Sequence, residues 1–308
     1  MISTEQGSIA LIPSMVKCLM KVEVIRMRED RPVTLTSYIL DTPPEITWVR
    51  RPAVVICPGG GFNHVSNREA EPVASVFLSR GYHAFVLRYS NKSMGVSKVY
   101  PDVVYELANA ILVIRRNADK WNIDPNRIAI VGFSAGGTVA SLFSVNWHKD
   151  WLTKMVNAPK EMLKVSAAIL AYPVVDFVAM HEMYMNKTIP QPAAGVLLEM
   201  ASLAFGSSKF TVDDLREISA TYHVDSNTPP TFIWTTADDD VVPIESIITY
   251  VNALARNKVP FEFHVFESGV HGLSLANRAT ASNQQQINPS VAKWVELALS
   301  WLERHIET

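Results

Sequence analysis

One serine in the chain has surroundings typical of a reactive nucleophile. In the run GFSAG at 132–136, glycine stands two positions before and two positions after Ser134. A β-branched run at 127–131 predicts a strand before the serine, and the apolar residues at 138–143 predict a helix after it. A turn this sharp leaves no room for side chains at 132 and 136, and it holds the hydroxyl outward. The pattern therefore favours a nucleophile at Ser134 over an ordinary glycine-rich turn.

A histidine near the end of the chain is the best candidate for the base that such a serine needs. His271 follows the last predicted strand, 261–266, and lies in a loop next to Gly272. Among the eight histidines, His83 and His264 fall inside predicted strands. His64 is the remaining alternative, but it precedes the serine and fits a pocket-lining role better. We therefore expect His271 to be the base.

Three consecutive aspartates, Asp238, Asp239 and Asp240, follow the strand predicted at 231–236. A carboxylate at the carboxyl end of a strand can orient a histidine, which is what a Ser-His-Asp triad requires of its acid. We also expect at least one of the three to cap the helix that begins at Pro243. The residue types alone leave the acid open among the three.

A glycine-rich segment, PGGGF at 58–62, follows the apolar strand predicted at 53–57. Three glycines at a strand end let backbone N–H groups approach a ligand closely. Beside a nucleophilic serine that ligand would be an oxyanion, held by Gly60 or Gly61 together with Ala135. A phosphate is less suitable, because neither a Walker lysine nor a GxGxxG spacing follows.

The elements between these residues predict one layered α/β domain over residues 1–308. Apolar strands alternate with helices whose apolar residues recur every three or four positions. Such strands are typical of a mostly parallel sheet with helices on both faces, and its active site lies at the carboxyl ends of the strands. Segments 21–26 and 33–40 partly alternate, which predicts an antiparallel pair at one edge of the sheet.

Residues 176–228 interrupt this alternation and lack strand patterns. Methionines and aromatic residues concentrate there together with prolines. We interpret the segment as a small helical cap over the site, with adaptable side chains lining an acyl or leaving-group pocket, although any single methionine is more simply explained by packing. Phe62, His64 and Phe133 adjoin the motifs and are candidate substrate contacts.

Composition excludes several classes of function. The hydrophobic content of 48% and the formal net charge of −2 fit a globular chain without an electrostatic footprint for nucleic acid or an anionic membrane. We expect neither a signal peptide nor a membrane span.

Cys18 and Cys57 both lie in strand-like runs, so we expect no disulfide framework and a cytoplasmic location. No cofactor or metal is expected, because no cluster of histidines and carboxylates has ligand spacing. The oligomeric state cannot be deduced from the sequence.

Five motifs, taken together, resemble the α/β-hydrolase superfamily, and the serine, acid, histidine order is the one found there. They are PGGGF at 58–62, SNRE at 66–69, GFSAGG at 132–137, TADDDVVP at 236–243 and VHG at 270–272. The resemblance spans roughly residues 50–305. Within the superfamily the chain is similar to small bacterial carboxylesterases related to hormone-sensitive lipase, often described as acetyl or acetyl xylan esterases.

The resemblance implies specific roles. The acid of such families lies four residues before the proline of the Val-Pro pair, which corresponds to Asp239, with Asp238 and Asp240 as alternates. We expect hydrolysis of a small-molecule ester with a short acyl group, acetyl above all, because segment 176–228 shows no long continuous apolar lining. The resemblance further implies that the alcohol is a carbohydrate. One departure is Pro58, where lipase relatives carry histidine. A peptidase of the prolyl-oligopeptidase type and a non-catalytic binding protein on a hydrolase scaffold are the alternatives.

Overall fold

An eight-stranded sheet forms the centre of the molecule. The computed structural model describes residues 20–42, 45–46 and 50–306, so Cys18 lies outside the described residues. The strands are β1 (Met20–Arg26), β2 (Thr34–Leu40), β3 (Arg51–Cys57), β4 (His83–Arg88), β5 (Ile123–Phe133), β6 (Ala167–Ala171), β7 (Thr231–Thr236) and β8 (Phe261–Phe266). Their order across the sheet is β1-β2-β4-β3-β5-β6-β7-β8. Strand β2 pairs antiparallel with β1 and β4, and all other pairs are parallel. The mostly parallel sheet with an antiparallel N-terminal edge is therefore confirmed.

Helices cover both faces of this sheet. They are α1 (Glu71–Ser79), α2 (Asp102–Arg116), α3 (Ala118–Trp121), α4 (Ala135–Asn146), α5 (Asp150–Val156), α6 (Phe177–Met185), α7 (Gln191–Phe205), α8 (Val212–Glu217), α9 (Ile244–Arg256) and α10 (Trp294–Ile306). Within the described residues, no helix combines the length and the apolar character that crossing a bilayer requires.

Two apolar clusters lie on opposite sides of the sheet, because successive side chains of a strand point to opposite faces. Val55 belongs to the cluster beneath α2, α4 and α9, whereas its neighbours Val54 and Ile56 belong to the cluster beneath α1 and α10. Fully apolar strands are thus explained by burial on both faces. This scaffold fixes the strand ends from which the predicted site residues project.

Strand β5 is longer than its apolar run. It begins at Ile123 rather than near 127, because Ile123 pairs with Arg51 before a register shift in β3. Helix α4 also begins earlier than its apolar run at 138–143: its first residue is Ala135, which directly follows Ser134. The turn between the two elements is consequently as tight as the glycine spacing indicates.

The chain between β6 and β7 is helical. It contains α6, α7 and α8 and a short 3-10 turn at Ala220–His223. Asp176 fastens the start of this segment, since its Oδ1 accepts from the amide of Ala179 at 2.9 Å and its Oδ2 accepts from Thr249 Oγ1 at 2.7 Å. The first contact caps α6 and the second joins it to α9.

Candidate active site

Ser134 occupies a strained position between β5 and α4. Its φ of 50° and ψ of −120° are rare for a residue with a side chain, and its amide donates to the carbonyl of Ala171 at 3.0 Å. The neighbouring glycines make this turn possible. A Cβ at Gly132 would lie 2.4 Å from the Gly136 carbonyl oxygen, and a Cβ at Gly136 would lie 2.0 Å from the carbonyl oxygen of Cys57. The expectation that positions 132 and 136 have no room for side chains is confirmed.

His271 lies within hydrogen-bonding distance of this serine. Its Nε2 is 2.9 Å from Ser134 Oγ, the distance expected between a nucleophile and its general base. The imidazole is largely buried, with 15% of its side chain exposed. It projects from the segment at 267–274 that follows β8, which we call the histidine loop. The loop thus brings this imidazole to the carboxyl ends of the strands, where the serine also lies.

Asp239 contacts the other nitrogen of the imidazole. Its Oδ2 lies 2.8 Å from His271 Nδ1, and its Oδ1 accepts from the amides of Val241 at 3.0 Å and Val242 at 2.9 Å. The carboxylate is almost fully buried, with 2% of its side chain exposed. Both oxygens are therefore fixed, and the tautomer of His271 with hydrogen on Nδ1 is favoured.

The two neighbouring aspartates are placed differently. Asp238 Oδ1 accepts from the amide of Gly269 at 2.7 Å, and Thr236 Oγ1 donates to the carbonyl of Gly269 at 2.6 Å. These two bonds hold the histidine loop against the end of β7. Asp240 is exposed and forms no hydrogen bond or ion pair with any residue the structure describes. Only Asp239 contacts the imidazole.

The glycine loop, residues 58–62, carries unpaired backbone donors. Within the described part of the chain, the amides of Gly60, Gly61 and Ala135 have no hydrogen-bond acceptor. Gly60 and Gly61 have φ values of 127° and 60°, which favour glycine. The loop is anchored by Tyr89, whose hydroxyl donates to the carbonyl of Pro58 at 2.6 Å. Unpaired amides beside a nucleophile are what an oxyanion requires.

The three candidate substrate contacts are not equivalent. Phe133 is fully buried between Tyr172 and Trp294, and Phe62 is 2% exposed with its ring edge against Tyr89. Both large apolar rings are part of the core, and substrate contact by these two side chains stays a prediction. His64 is exposed, and the histidine that contacts Ser134 is His271.

Two buried polar residues next to the site were not assigned a role from the sequence. Glu69 is 3% exposed and accepts from the amide of Gly59 at 2.8 Å and from the hydroxyl of Tyr172 at 2.6 Å. Tyr172 in turn accepts from the amide of Ser274 at 2.9 Å. Its ring lies edge-on to His271, with 5.0 Å between the centroids. The position of Tyr172 directly after a buried strand was the available indication.

A cleft of about 640 Å³ lies at the amino ends of the strands, on the far side of the sheet from Ser134. It is lined by Ser166, Pro230 and Pro260, which precede β6, β7 and β8. The residues that line it form no hydrogen bond between a hydroxyl and a histidine, so this cleft lacks a nucleophile with its base.

Among the described residues, no group of three or more histidine, cysteine or carboxylate side chains is arranged to hold a metal ion.

Comparison with known proteins places this site in a family. The BD-FAE family matches residues 42–254, well over half of the chain. Endo-1,4-beta-xylanase B of Butyrivibrio fibrisolvens is 33% identical over 235 residues, which cover 74% of this chain. The chain spans only 33% of the length of that relative.

Two solved structures match nearly the whole chain. A carboxylesterase from Lactobacillus plantarum is 30% identical with a TM-score of 0.77, and the match covers 92% of this chain and 97% of that one. An acetyl ester-xyloside bifunctional hydrolase from Caldicellulosiruptor lactoaceticus is 30% identical with a TM-score of 0.73, and the match covers 94% of this chain and 98% of that one. With the family match and this structural similarity, the chain belongs to the BD-FAE family and has the α/β-hydrolase fold.

Proposed function

We propose that the protein is a serine carboxylesterase in which Ser134 is the nucleophile, His271 the base and Asp239 the acid. The observation that carries the proposal is the continuous chain of hydrogen bonds through His271, with 2.9 Å to Ser134 and 2.8 Å to Asp239. A hydroxyl, an imidazole and a carboxylate in this order are the parts of a Ser-His-Asp triad. The similarity to a carboxylesterase over nearly the whole chain supports the same reaction.

The reaction then follows from the geometry. His271 Nε2 takes the proton from Ser134 Oγ while that oxygen attacks the ester carbonyl carbon. The amides of Ala135 and of Gly60 or Gly61 donate to the oxyanion of the tetrahedral intermediate, each contributing on the order of 3 kcal/mol. The intermediate collapses, His271 gives its proton to the departing alcohol, and the acyl group stays on Ser134. Water, deprotonated by His271, repeats the cycle and releases the acid.

The proposed substrate is an ester of a short acyl group, above all acetyl, on a carbohydrate alcohol. The solved relative from Caldicellulosiruptor lactoaceticus is described as a hydrolase of an acetyl ester and a xyloside, and the curated relative is a xylanase. Both similarities favour a substrate in which an acetyl group and a sugar occur together. The substrate is accordingly a small molecule.

We treat residues 176–228 as a cap within a single domain over residues 1–308. Helices α6 to α8 follow β6 in the chain. The carbonyl of Ala171, the last residue of β6, accepts a hydrogen bond from the amide of Ser134. A helical segment that starts there is suited to cover the acyl or the alcohol side of the site. Variation of this segment is therefore expected to change substrate preference more than the rate of the chemical step.

A cytoplasmic location also stays a proposal. Cys57 is fully buried, and burial raises the pKa of its thiol far above the usual range. A thiol of this kind is inert and is compatible with a reducing compartment.

The test is hydrolysis of p-nitrophenyl acetate by the protein and by Ser134→Ala. The protein should release p-nitrophenol and should be labelled on Ser134 by a fluorophosphonate, whereas Ser134→Ala should do neither. Equal rates from the two proteins would overturn the proposal. A protein that stays unlabelled would instead be a binding protein, and faster cleavage of peptide amides than of esters would indicate a peptidase. Acetylated xylo-oligosaccharides compared with triglycerides then test the substrate class.

A further inference from the structure

A buried chain of hydrogen bonds joins the glycine loop to the histidine loop beneath the proposed triad. The amide of Ser274 donates to the hydroxyl of Tyr172, and that hydroxyl donates to Glu69 Oε1. The amide of Gly59 donates to the other carboxylate oxygen, Glu69 Oε2. Ser274, Tyr172 and Glu69 are at most 3% exposed. The chain thus connects the loop with the oxyanion donors to the loop with the base.

The direction of these hydrogen bonds calls for a carboxylate at position 69. The amide of Gly59 can only donate, and the hydroxyl of Tyr172 already accepts from Ser274, so its hydrogen points to Glu69. Two donors therefore face Glu69, and the two oxygens of a carboxylate satisfy both. Glutamine would accept from one donor through its oxygen and present its own NH₂ group to the other, which leaves a buried polar group unpaired.

Space at this point is limited. A Cβ at Gly59 would lie 2.8 Å from Glu69 Oε2 and 3.0 Å from the Cβ of Ser134. The carboxylate and the nucleophile consequently flank the same glycine. A displacement of Glu69 would move Gly59, which precedes the proposed oxyanion donors in the glycine loop, relative to Ser134.

The residue before Glu69 strengthens the same connection. Arg68 Nη2 donates to the carbonyl of Gly272 at 3.0 Å, and its Nε donates to the carbonyl of Thr280. The hydroxyl of Ser274 donates to the carbonyl of Arg68 at 2.8 Å. The turn that carries Arg68 and Glu69 is thus bound to the histidine loop on both sides of Leu273.

Tyr172 also acts directly on the imidazole. Its φ of 39° lies in the region that favours glycine, and its amide donates to the carbonyl of Trp234 at 2.7 Å. This conformation sets the ring edge-on to His271, with 5.0 Å between the centroids. The phenol ring limits the orientations of the imidazole on one side, while Asp239 fixes it from Nδ1.

We propose that Glu69 and Tyr172 are positioning residues that keep the oxyanion donors and His271 in register with Ser134 during ester hydrolysis. The inference rests on the proposed function. Neither residue bonds to the substrate or to Ser134: Glu69 acts through the geometry of the two loops, and Tyr172 acts through the loops and through the orientation of the imidazole. Loss of one connection lets the Gly59 amide and the Ser274 segment shift relative to each other, and a displacement of about 1 Å in an active site lowers the rate by about 100-fold.

The test compares Glu69→Gln, Tyr172→Phe and the double variant with the unaltered protein on p-nitrophenyl acetate. Both single substitutions keep the size of the side chain and hence the packing. We expect kcat to fall about 10-fold to 100-fold in each, with KM changed less than about twofold, because the geometry of the transition state is affected more than binding. The double variant should be no slower than the slower single variant, since either change breaks the same chain. Rates are expressed per site titrated by a fluorophosphonate, so that loss of folded protein is not counted as a loss of kcat.

A neighbouring pair provides the matched control. Tyr38 donates its hydroxyl to Glu71 Oε1 at 3.1 Å, two residues beyond Glu69, and this pair bonds to neither loop. Tyr38→Phe and Glu71→Gln should keep kcat within about twofold. If Glu69→Gln and Tyr172→Phe behave like these controls, or if their losses multiply in the double variant, the inference is wrong while the proposed function stands. An unaltered protein that neither hydrolyses the ester nor reacts with the fluorophosphonate would overturn the proposed function itself, and this inference with it.

Discussion

His271 Nδ1 lies 2.8 Å from Asp239 Oδ2, although two other aspartates stand directly beside Asp239 in the chain. The amides of Val241 and Val242 hold the second oxygen of Asp239, which fixes the carboxylate toward the imidazole. Asp238 is turned to the amide of Gly269 instead. Three identical side chains therefore have three different environments, and a series of substitutions can separate them.

Replacement of each aspartate by asparagine should give three different losses of activity. Asp239→Asn should lower kcat by about 10³-fold to 10⁴-fold, because the amide favours the wrong tautomer of His271. Asp238→Asn should lower kcat by less than about 10-fold, since its amide oxygen can still accept from Gly269. Asp240→Asn should leave kcat within about twofold. Steady-state rates on p-nitrophenyl acetate measure all three, and a large loss confined to Asp238→Asn or Asp240→Asn would exclude Asp239 as the acid.

Two glycines should respond in opposite ways to alanine. Gly136→Ala places a Cβ 2.0 Å from the carbonyl oxygen of Cys57, an overlap with backbone that cannot move aside. We expect it to lower the free energy of unfolding by at least about 3 kcal/mol. Gly195 lies inside α7 with no atom within 4 Å of an added Cβ, so Gly195→Ala should raise the free energy of unfolding by about 0.5 to 1 kcal/mol. Urea unfolding measures both, and a Gly136→Ala variant as stable as Gly195→Ala would contradict the account of the turn.

Much of the site could be predicted because its parts are local. Ser134 is set by a turn whose glycines are four residues apart, and His271 lies in the loop that follows the last strand, so the sequence indicates that both belong at the carboxyl ends of the strands. The choice of Asp239 required a resemblance, because three adjacent aspartates have the same chemistry. The structure distinguishes Asp239 from its neighbours by the backbone turn at 241–242, whose amides donate to its carboxylate. The roles of the three residues stay predictions.

Other features depend on contacts between distant segments. Glu69 and Tyr172 are separated by 103 positions, and nothing in either local pattern indicates that they meet. Phe133 adjoins the nucleophile in the chain, yet its side chain points into the core toward Trp294 because neighbouring residues of a strand face opposite sides. Proximity to the serine in the sequence therefore did not indicate where the Phe133 side chain packs.

His83 should make the protein sensitive to acid. It is fully buried in β4, and its Nδ1 accepts from the amide of Leu40 at 3.1 Å. Burial, with a contribution from Arg51, lowers the pKa of His83 to about 4, whereas an unfolded histidine has a pKa of about 6.5. Because the folded state binds fewer protons on His83 between these values, the contribution of His83 to stability is full above about pH 6.5 and declines by roughly 3 kcal/mol as the pH falls to about 4. Urea unfolding across this range should show a free energy of unfolding for His83→Gln that, relative to the unaltered protein, decreases as the pH rises, and an unchanged slope would contradict the assignment.

Glu106 should have the opposite effect in nearly the same range. Its side chain is fully buried, Oε2 accepts from the amide of Ser90 at 2.8 Å, and the nearest cation, Arg28, is 3.7 Å from Oε1. Burial outweighs these contacts and raises the pKa of Glu106 to about 7, compared with about 4.3 in an unfolded chain. The folded state then binds more protons, so this contribution to stability is full below about pH 4.3 and is lost as the pH rises through about 7.

Glu106→Gln tests this assignment, because glutamine keeps an acceptor for Ser90 but does not titrate. Relative to the unaltered protein, its free energy of unfolding should increase with pH by roughly 3 kcal/mol between about pH 4 and pH 8. Between pH 4.3 and 6.5 the slopes from His83 and Glu106 have opposite signs and largely cancel in the unaltered protein. The two single variants should therefore diverge in slope, and the variant carrying both substitutions should return to the slope of the unaltered protein in this interval. Parallel curves for Glu106→Gln and the unaltered protein would show that Glu106 does not titrate in this range.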